Sequence, residues 1–179
     1  MALHAAADRR TSAAVVAAGA ALSALAAVLA GCMERPAPVA AGPTLEPGYG
    51  LYFSLDGDRA KLAYGQANSD DIALMLECER GSRTVEITDV APAKSRESQP
   101  MLILASGKMI SPLPARTQAN EEGEGVLAMA QAPTSLPALD GFRRTGSISV
   151  RYAGRQHGLS ATARERAQVA RFFTVCERK

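Results

Sequence analysis

Between residues 51 and 152, apolar side chains recur at every second position in short runs, each closed by turn-forming residues. A period of two puts alternate side chains on opposite faces of an extended chain, so each run buries one face and reads as a strand. The clearest is Ile72 to Cys78, with Ile72, Leu74, Leu76 and Cys78 on one face and Met75 and Glu77 on the other. Leu51 to Leu55 aligns Leu51, Phe53 and Leu55. Asp56-Gly57, a pair that tolerates positive φ, then turns the chain into Ala60 to Tyr64, with Ala60, Leu62 and Tyr64 inward. Gly65 to Asp71 is a polar loop, and Gly81-Ser82 leads into Thr84 to Asp89, where Val85 and Ile87 face in. Ala91 to Pro100 is again polar. Met101 to Ala105 and Lys108 to Ile110 flank Ser106-Gly107 as a second hairpin. Pro112 and Pro114 lack the N–H that a ladder needs, which makes the outgoing segment an edge strand. An acidic turn from Asn120 to Gly125 precedes a strand at Val126 to Ala130, and Pro133 and Pro137 break the chain. Ser147 to Tyr152 closes the series with Ile148, Val150 and Tyr152 inward.

The period then changes. Thr162-Ala163-Arg164-Glu165 is a capping box: the threonine oxygen accepts an early helix N–H while the glutamate reaches back. Ala163, Ala167 and Ala170, with Val169, Phe173 and Cys176, follow helical spacing, so this helix should lie on the sheet. The expected fold is mostly β: a small antiparallel β-sandwich or barrel with a C-terminal helix packed on it.

The N-terminus is of another kind. Arg9 and Arg10 precede Ala13 to Ala30, an uncharged run of 18 residues that ends in Leu29-Ala30-Gly31-Cys32. A positive start, an apolar stretch and a small-residue cleavage site describe a secretory signal peptide. The run is near the lower limit of about 17 residues for a membrane span, is rich in alanine and is followed by no basic stop-transfer cluster. Leu29 to Cys32 resembles the lipobox of bacterial lipoproteins. The resemblance implies diacylglycerol on the Cys32 sulfur, cleavage before Cys32 and acylation of the new amino group. Two acyl-type signals make such attachment stable where one chain is marginal. Residue 33 is Met and not Asp, which in the sorting rule that this signal resembles directs the product to the outer membrane, facing the periplasm. The expected organisation is a lipoprotein signal peptide at 1–31, a tether at 32–50 and a periplasmic domain at 51–179. Pro36, Pro38, Pro43 and Pro47 keep the tether extended. At about 3.1 Å per residue it would reach about 50 Å.

Charge narrows the function classes. Removing residues 1–31 takes two basic and one acidic side chain from totals of 20 and 18, leaving a net charge of +1. That balance argues against nucleic-acid binding, which needs a basic stripe to displace counterions. The absence of Trp and the scarcity of other aromatics lower the case for sugar or base stacking. Arg164, Arg166 and Arg171 share one helix with Glu165 and read as a solvated face. Cys78 and Cys176 are an even pair in an oxidising compartment and are expected to form one disulfide, tying the central strand to the end of the helix.

No catalytic constellation is nominated. His157 is the sole histidine after the signal segment and is expected in a solvent-exposed loop. No nucleophile elbow, P-loop or dinucleotide fingerprint is present. Asp56, Asp58, Asp70 and Asp71 lack calcium-loop spacing and are accounted for by turn chemistry. Glu121, Glu122 and Glu124 read as a solvated turn. No metal and no cofactor is expected.

Two further resemblances bear on the domain. Lys61 to Gly65, Ser69-Asp70-Asp71, Leu76-Glu77-Cys78 and the closing Phe172 to Cys176 are similar to segments of small uncharacterised secreted proteins and lipoproteins of alphaproteobacteria. That implies a two-cysteine β domain and no particular activity. Leu76-Glu77-Cys78 with Gly81, and Ala105-Ser106-Gly107, resemble the early cysteine strand and the Ser-Gly loop of membrane-bound lysozyme inhibitors. This second resemblance implies Ser106 and Lys108 as contact residues. The tyrosine that follows that loop is absent here, the domain is longer and the final helix is not part of the pattern. The expected function is a non-enzymatic, lipid-anchored envelope module that binds an envelope protein or glycan. The alternatives are an inhibitor module using the Ser106-Gly107 hairpin, and an enzyme with an unrecognised site.

Overall fold

The computed structural model describes residues 47–92, 99–121 and 123–179. Cys32, the signal segment and the tether up to residue 46 lie outside the described residues, as do residues 93–98 of the Ala91–Pro100 loop. The chain forms β1 (Tyr49–Asp56), β2 (Arg59–Gln66), β3 (Ile72–Glu79), β4 (Thr84–Ala91), β5 (Met101–Ser106), β6 (Met109–Pro114), β7 (Arg116–Ala119) and β8 (Val126–Pro133). These are followed by α1 (Pro137–Thr145), β9 (Ser147–Tyr152), β10 (Arg155–Ser160) and α2 (Ala163–Glu177).

The strands make two antiparallel sheets. The larger has the order β1-β2-β3-β4-β8-β7 and the smaller β10-β9-β5-β6. Both are open, so the sandwich is realised and the barrel is not. The pro-rich β6 is an edge, as Pro112 and Pro114 require. Only Ala115 separates β6 from β7, so the chain leaves the small sheet and enters the large one at a corner, a common device of sandwiches.

The inner face of the large sheet is covered in two parts. Helix α2 lies against β1, β2 and β3, while β4 and β8 face the small sheet. Helix α1 fills the space under β5, β6 and β9 and touches α2. Leu62, Leu74, Leu76, Val85, Ile87 and Leu102 are fully buried from the strands, and Phe142, Phe172 and Phe173 from the helices.

Helix α2 is bonded along its length. The capping box forms as expected, the Glu165 N–H donating to the Thr162 hydroxyl and the Thr162 N–H to the Glu165 carboxylate at 2.7 Å. Glu165 also accepts the Leu51 N–H at 2.8 Å, and the Gln168 side-chain oxygen accepts the Phe53 N–H at 2.8 Å. Both donors belong to edge strand β1, so the helix covers backbone groups that would otherwise invite another strand. At the far end the Gly81 and Arg83 N–H groups donate to the carbonyls of Val175 and Cys176, which a helix terminus leaves without partners. The Cys78–Cys176 disulfide closes this junction, with Cα atoms 5.7 Å apart.

Several details depart from the sequence pattern. Both predicted hairpins form, but their loops are Gly57-Asp58 and Gly107-Lys108, one residue later than expected. Glycine takes the first loop position with φ of +55° and +59°, where a two-residue hairpin wants it. Ala163, Ala167 and Ala170 of α2 are exposed; the buried residues are Val169, Phe172, Phe173, Val175 and Cys176, because Phe172 carries far more apolar area than any alanine. Helix α1 was not anticipated: Pro133 and Pro137 read as breaks, yet Pro137 opens a helix, where its missing N–H has no cost.

Two outcomes are expected. The doubly substituted Cys78→Ala, Cys176→Ala protein should lose about 4 kcal/mol of stability in urea titration, since the bond closes a loop of sequence separation 98. Burial pushes the Glu165 carboxyl upward, but the bonds from Thr162 and the Leu51 N–H outweigh it and hold the group below its ordinary 4.5. The stability it contributes is therefore complete above 4.5 and is withdrawn as pH falls through the lowered folded value. Urea midpoints at about pH 6 and about pH 3 should differ less for Glu165→Gln than for the wild type.

Candidate functional site

A strand that buries one face exposes the other, and the outer face of the large sheet is less polar than that position requires. Cross-strand register aligns Ala63 with Met75, Met75 with Thr88 and Thr88 with Met129. The next row aligns Val90 with Leu127 and Leu127 with Gln118. Met75, Val90 and Leu127 are half-buried although no element of the described residues covers them. One row nearer the hairpin ends the face becomes charged: Lys61 pairs with Glu77 at 3.5 Å, and Arg116 and Gln131 both donate to Glu86.

Two turns rise beside the apolar rows. The β2–β3 turn brings Asp70 and Asp71, and the β7–β8 turn brings Glu121 and Glu124. The result is a cleft of about 870 Å³ floored by Met75, Thr88, Val90 and Leu127. Both turns are set by glycines at which backbone crowds backbone. A Cβ on Gly65, beside the register shift in β2, would lie 2.2 Å from the Asp71 carbonyl oxygen. A Cβ on Gly125 would lie 2.2 Å from the Ala91 carbonyl oxygen, and its φ of +94° suits glycine alone. No flexible side chain is available to yield at either place, so both walls depend on these residues.

A second polar feature lies between the sheets. Asp89 of β4 faces inward and is 3% exposed, and the His157 imidazole reaches it from β10, Nε2 against Oδ1. His157 is thus not in a solvent-exposed loop: residues 155–160 pair with β9, and the ring is half-buried. Gly158 and flanking polar residues hide the period of that strand. A carboxylate that orients an imidazole is one part of a nucleophilic triad. However, the adjoining cavity is only about 60 Å³ and its described lining holds no Ser, Thr or Cys. What the pair does here is join the two sheets.

The residues singled out in the sequence are dispersed. Cys78 and Cys176 are joined as expected, and Cys32 lies outside the described residues. Ser106 is 4% exposed and its hydroxyl donates to the Ser147 carbonyl at 2.7 Å, with the Thr145 hydroxyl 3.2 Å away, so it is not presented at the surface. Lys108 is exposed in the hairpin loop. Asp58 pairs with Arg80 at 2.9 Å, away from Asp70 and Asp71, and no three metal-ligating side chains converge among the described residues. Asp70, Asp71, Glu121 and Glu124, read as turn residues, do sit in turns but also rim the cleft. Glu122 is not among the described residues. Of the outward row, the alternation of Ile72 to Cys78 shows Met75 alone; Val90 and Leu127 join it through strand register. No family model, curated protein or solved structure matches this chain.

Removing one partner of a buried hydrogen bond leaves the other unsatisfied, at about 1–3 kcal/mol. His157→Ala should lose about 2 kcal/mol in urea titration, short of the upper end because the ring is partly exposed. The double variant Asp89→Leu, His157→Leu should lose less than His157→Ala alone; equal or greater loss would show that the ring serves only to fill space.

Proposed function

We propose that this chain is an exported, lipid-anchored binding module of the bacterial cell envelope, and that the cleft on the outer face of its large sheet is the binding surface. The address is argued from the signal-like N-terminus and from Cys32, the residue that the lipobox resemblance assigns to lipid. The observation that carries the binding role is the cleft itself. Its volume of about 870 Å³ falls within the usual range of ligand sites, about 300–1,000 Å³. Its floor leaves Met75, Val90 and Leu127 open to solvent, and a contiguous uncovered apolar surface rimmed by polar groups marks a place of interaction. Methionine suits such a floor because its unbranched thioether adapts to varied apolar partners. The module acts by binding and not by chemistry, as a partner of an envelope protein or glycan.

A second surface is the β5–β6 hairpin. Beside Lys108 it exposes Met109 at 43% and Ile110 at 50%, apolar side chains that a protein partner of the inhibitor kind would cover.

The test uses the full chain in cells. A photocrosslinking side chain in place of Met75 should capture a discrete envelope component, whereas one in place of Ser54, exposed on β1, should not. Capture should depend on the anchor: the Cys32→Ser protein should stay uncleaved or leave the membrane fraction, and capture should fall. No adduct at Met75, or equal capture at both positions, overturns the cleft as the binding surface. Maturation and fractionation of Cys32→Ser like the wild type overturns the lipid anchor.

A further inference from the structure

The side-chain carboxylates of the described residues divide into two groups. Glu79, Glu77, Asp58 and Glu86 have cationic partners on the large sheet and its loops. Glu177 and Asp140 pair with arginines of α1, Asp89 meets His157, and Glu165 accepts backbone N–H groups. Apart from Asp56, the acids left with no ion pair or side-chain hydrogen bond among the described residues are Asp70, Asp71, Glu121 and Glu124. All four line the cleft. The single cation in its described lining, Lys61, is engaged by Glu77.

The floor supplies an independent observation. Thr88 lies in the apolar row between Met75 and Met129 and is only 5% exposed. Its hydroxyl makes no hydrogen bond to another described residue, and since no buried side-chain polar atom of the described residues lacks a partner, it is open to the cleft. Thr88 lines the bottom of the cleft, between two methionines. Its remaining hydrogen-bonding capacity faces the space where a ligand would lie.

Resting on the reading of the cleft as the binding surface, we infer that its occupant is a basic, amphipathic peptide segment of a partner protein. Its apolar side chains lie on Met75, Val90 and Leu127. Its lysine or arginine side chains reach the carboxylates on either wall, and a polar group of the segment meets the Thr88 hydroxyl. Opposite charge on the rim steers and orients such a ligand, while the apolar floor holds it. An acidic peptide is rejected because the same four carboxylates repel it. A free divalent cation does not satisfy the arrangement, since these acids do not converge into a ligand set among the described residues.

The test is a titration of the full-length mature protein, solubilised in a neutral detergent, with a labelled synthetic peptide of alternating leucine and lysine. Fluorescence anisotropy is the readout, and an otherwise identical leucine and glutamate peptide is the control. The wild type should bind the lysine peptide, with affinity falling as salt rises, and should bind the glutamate peptide at least tenfold more weakly. The combined variant Asp70→Asn, Asp71→Asn, Glu121→Gln, Glu124→Gln should lose at least tenfold in affinity and most of the salt dependence. These positions are exposed, so the fold should persist, which circular dichroism checks. The Asp58→Asn, Glu79→Gln variant, which neutralises acids elsewhere on the surface, should bind like the wild type. Equal binding of both peptides, or an unchanged rim variant, overturns the basic-peptide inference and leaves the cleft reading standing. Binding of neither peptide also overturns it, and the Met75 crosslink then decides the cleft separately: a discrete adduct keeps the surface with a different ligand, and no adduct removes both. Concentration-dependent self-association abolished by the rim variant would name a second copy of this chain instead, and would equally overturn the inference.

Discussion

Helix α2 satisfies groups that the large sheet cannot satisfy by itself. An open sheet of six strands has an edge at β1, an apolar inner face over β1 to β3 and a β3–β4 turn whose N–H groups need acceptors. The helix answers all three with different parts of one element. Its first two turns take the Leu51 and Phe53 N–H groups through Glu165 and Gln168, its middle buries Val169, Phe172 and Phe173, and its last carbonyls accept from Gly81 and Arg83. The disulfide between Cys78 and Cys176 sits where the last of these contacts is made. The opposite face of the sheet has no described element over it, and the cleft forms there, over β3, β4 and β8.

The two sheets divide their work in a similar way. The small sheet packs inward against β4, β8 and α1, and its junction with the large sheet is made in two chemically different ways. One is covalent continuity at the β6–β7 corner. The other is the Asp89–His157 pair, which places a polar contact between otherwise apolar layers. Such a contact adds little net stability, because each partner must first give up water. It lies beside Val90 and Ala91, close to the end of β4 that carries the cleft floor, so the alignment of the sheets and the shape of the cleft share a strand.

Much of this architecture could be read in the residues. Ile72 to Cys78, Ser147 to Tyr152 and the Thr162–Glu165 capping box carry patterns that only one local structure satisfies, and each forms as expected. The pairing of the two cysteines followed from their even number, and the bond forms. What escaped detection had signals that neighbouring rules outweighed. Pro137 marks the start of α1, but a second proline four residues earlier made the segment look broken. Strand β10 contains His157-Gly158, which lacks the apolar alternation of its neighbours, and β7 is too short to show a period. The cleft was half legible: Met75 was assigned correctly to the outward face, but a single strand cannot reveal that Val90 and Leu127 lie beside it. That takes the register of β4 against β8, a long-range pairing that no local pattern encodes.

The order of strands in the large sheet also decides how the domain meets mechanical load. The chain enters the domain at Tyr49, the first residue of edge strand β1, so tension on the preceding residues is delivered to the outermost strand. A pull directed away from the sheet would peel β1 from β2 one bond at a time, the weak direction for any ladder. The Glu165 and Gln168 side chains bind β1 from the other side, and α2 is in turn fastened to β3 through Cys176. Force entering at the edge is thereby shared with an interior strand through a covalent link, and the rows that floor the cleft lie behind that anchorage.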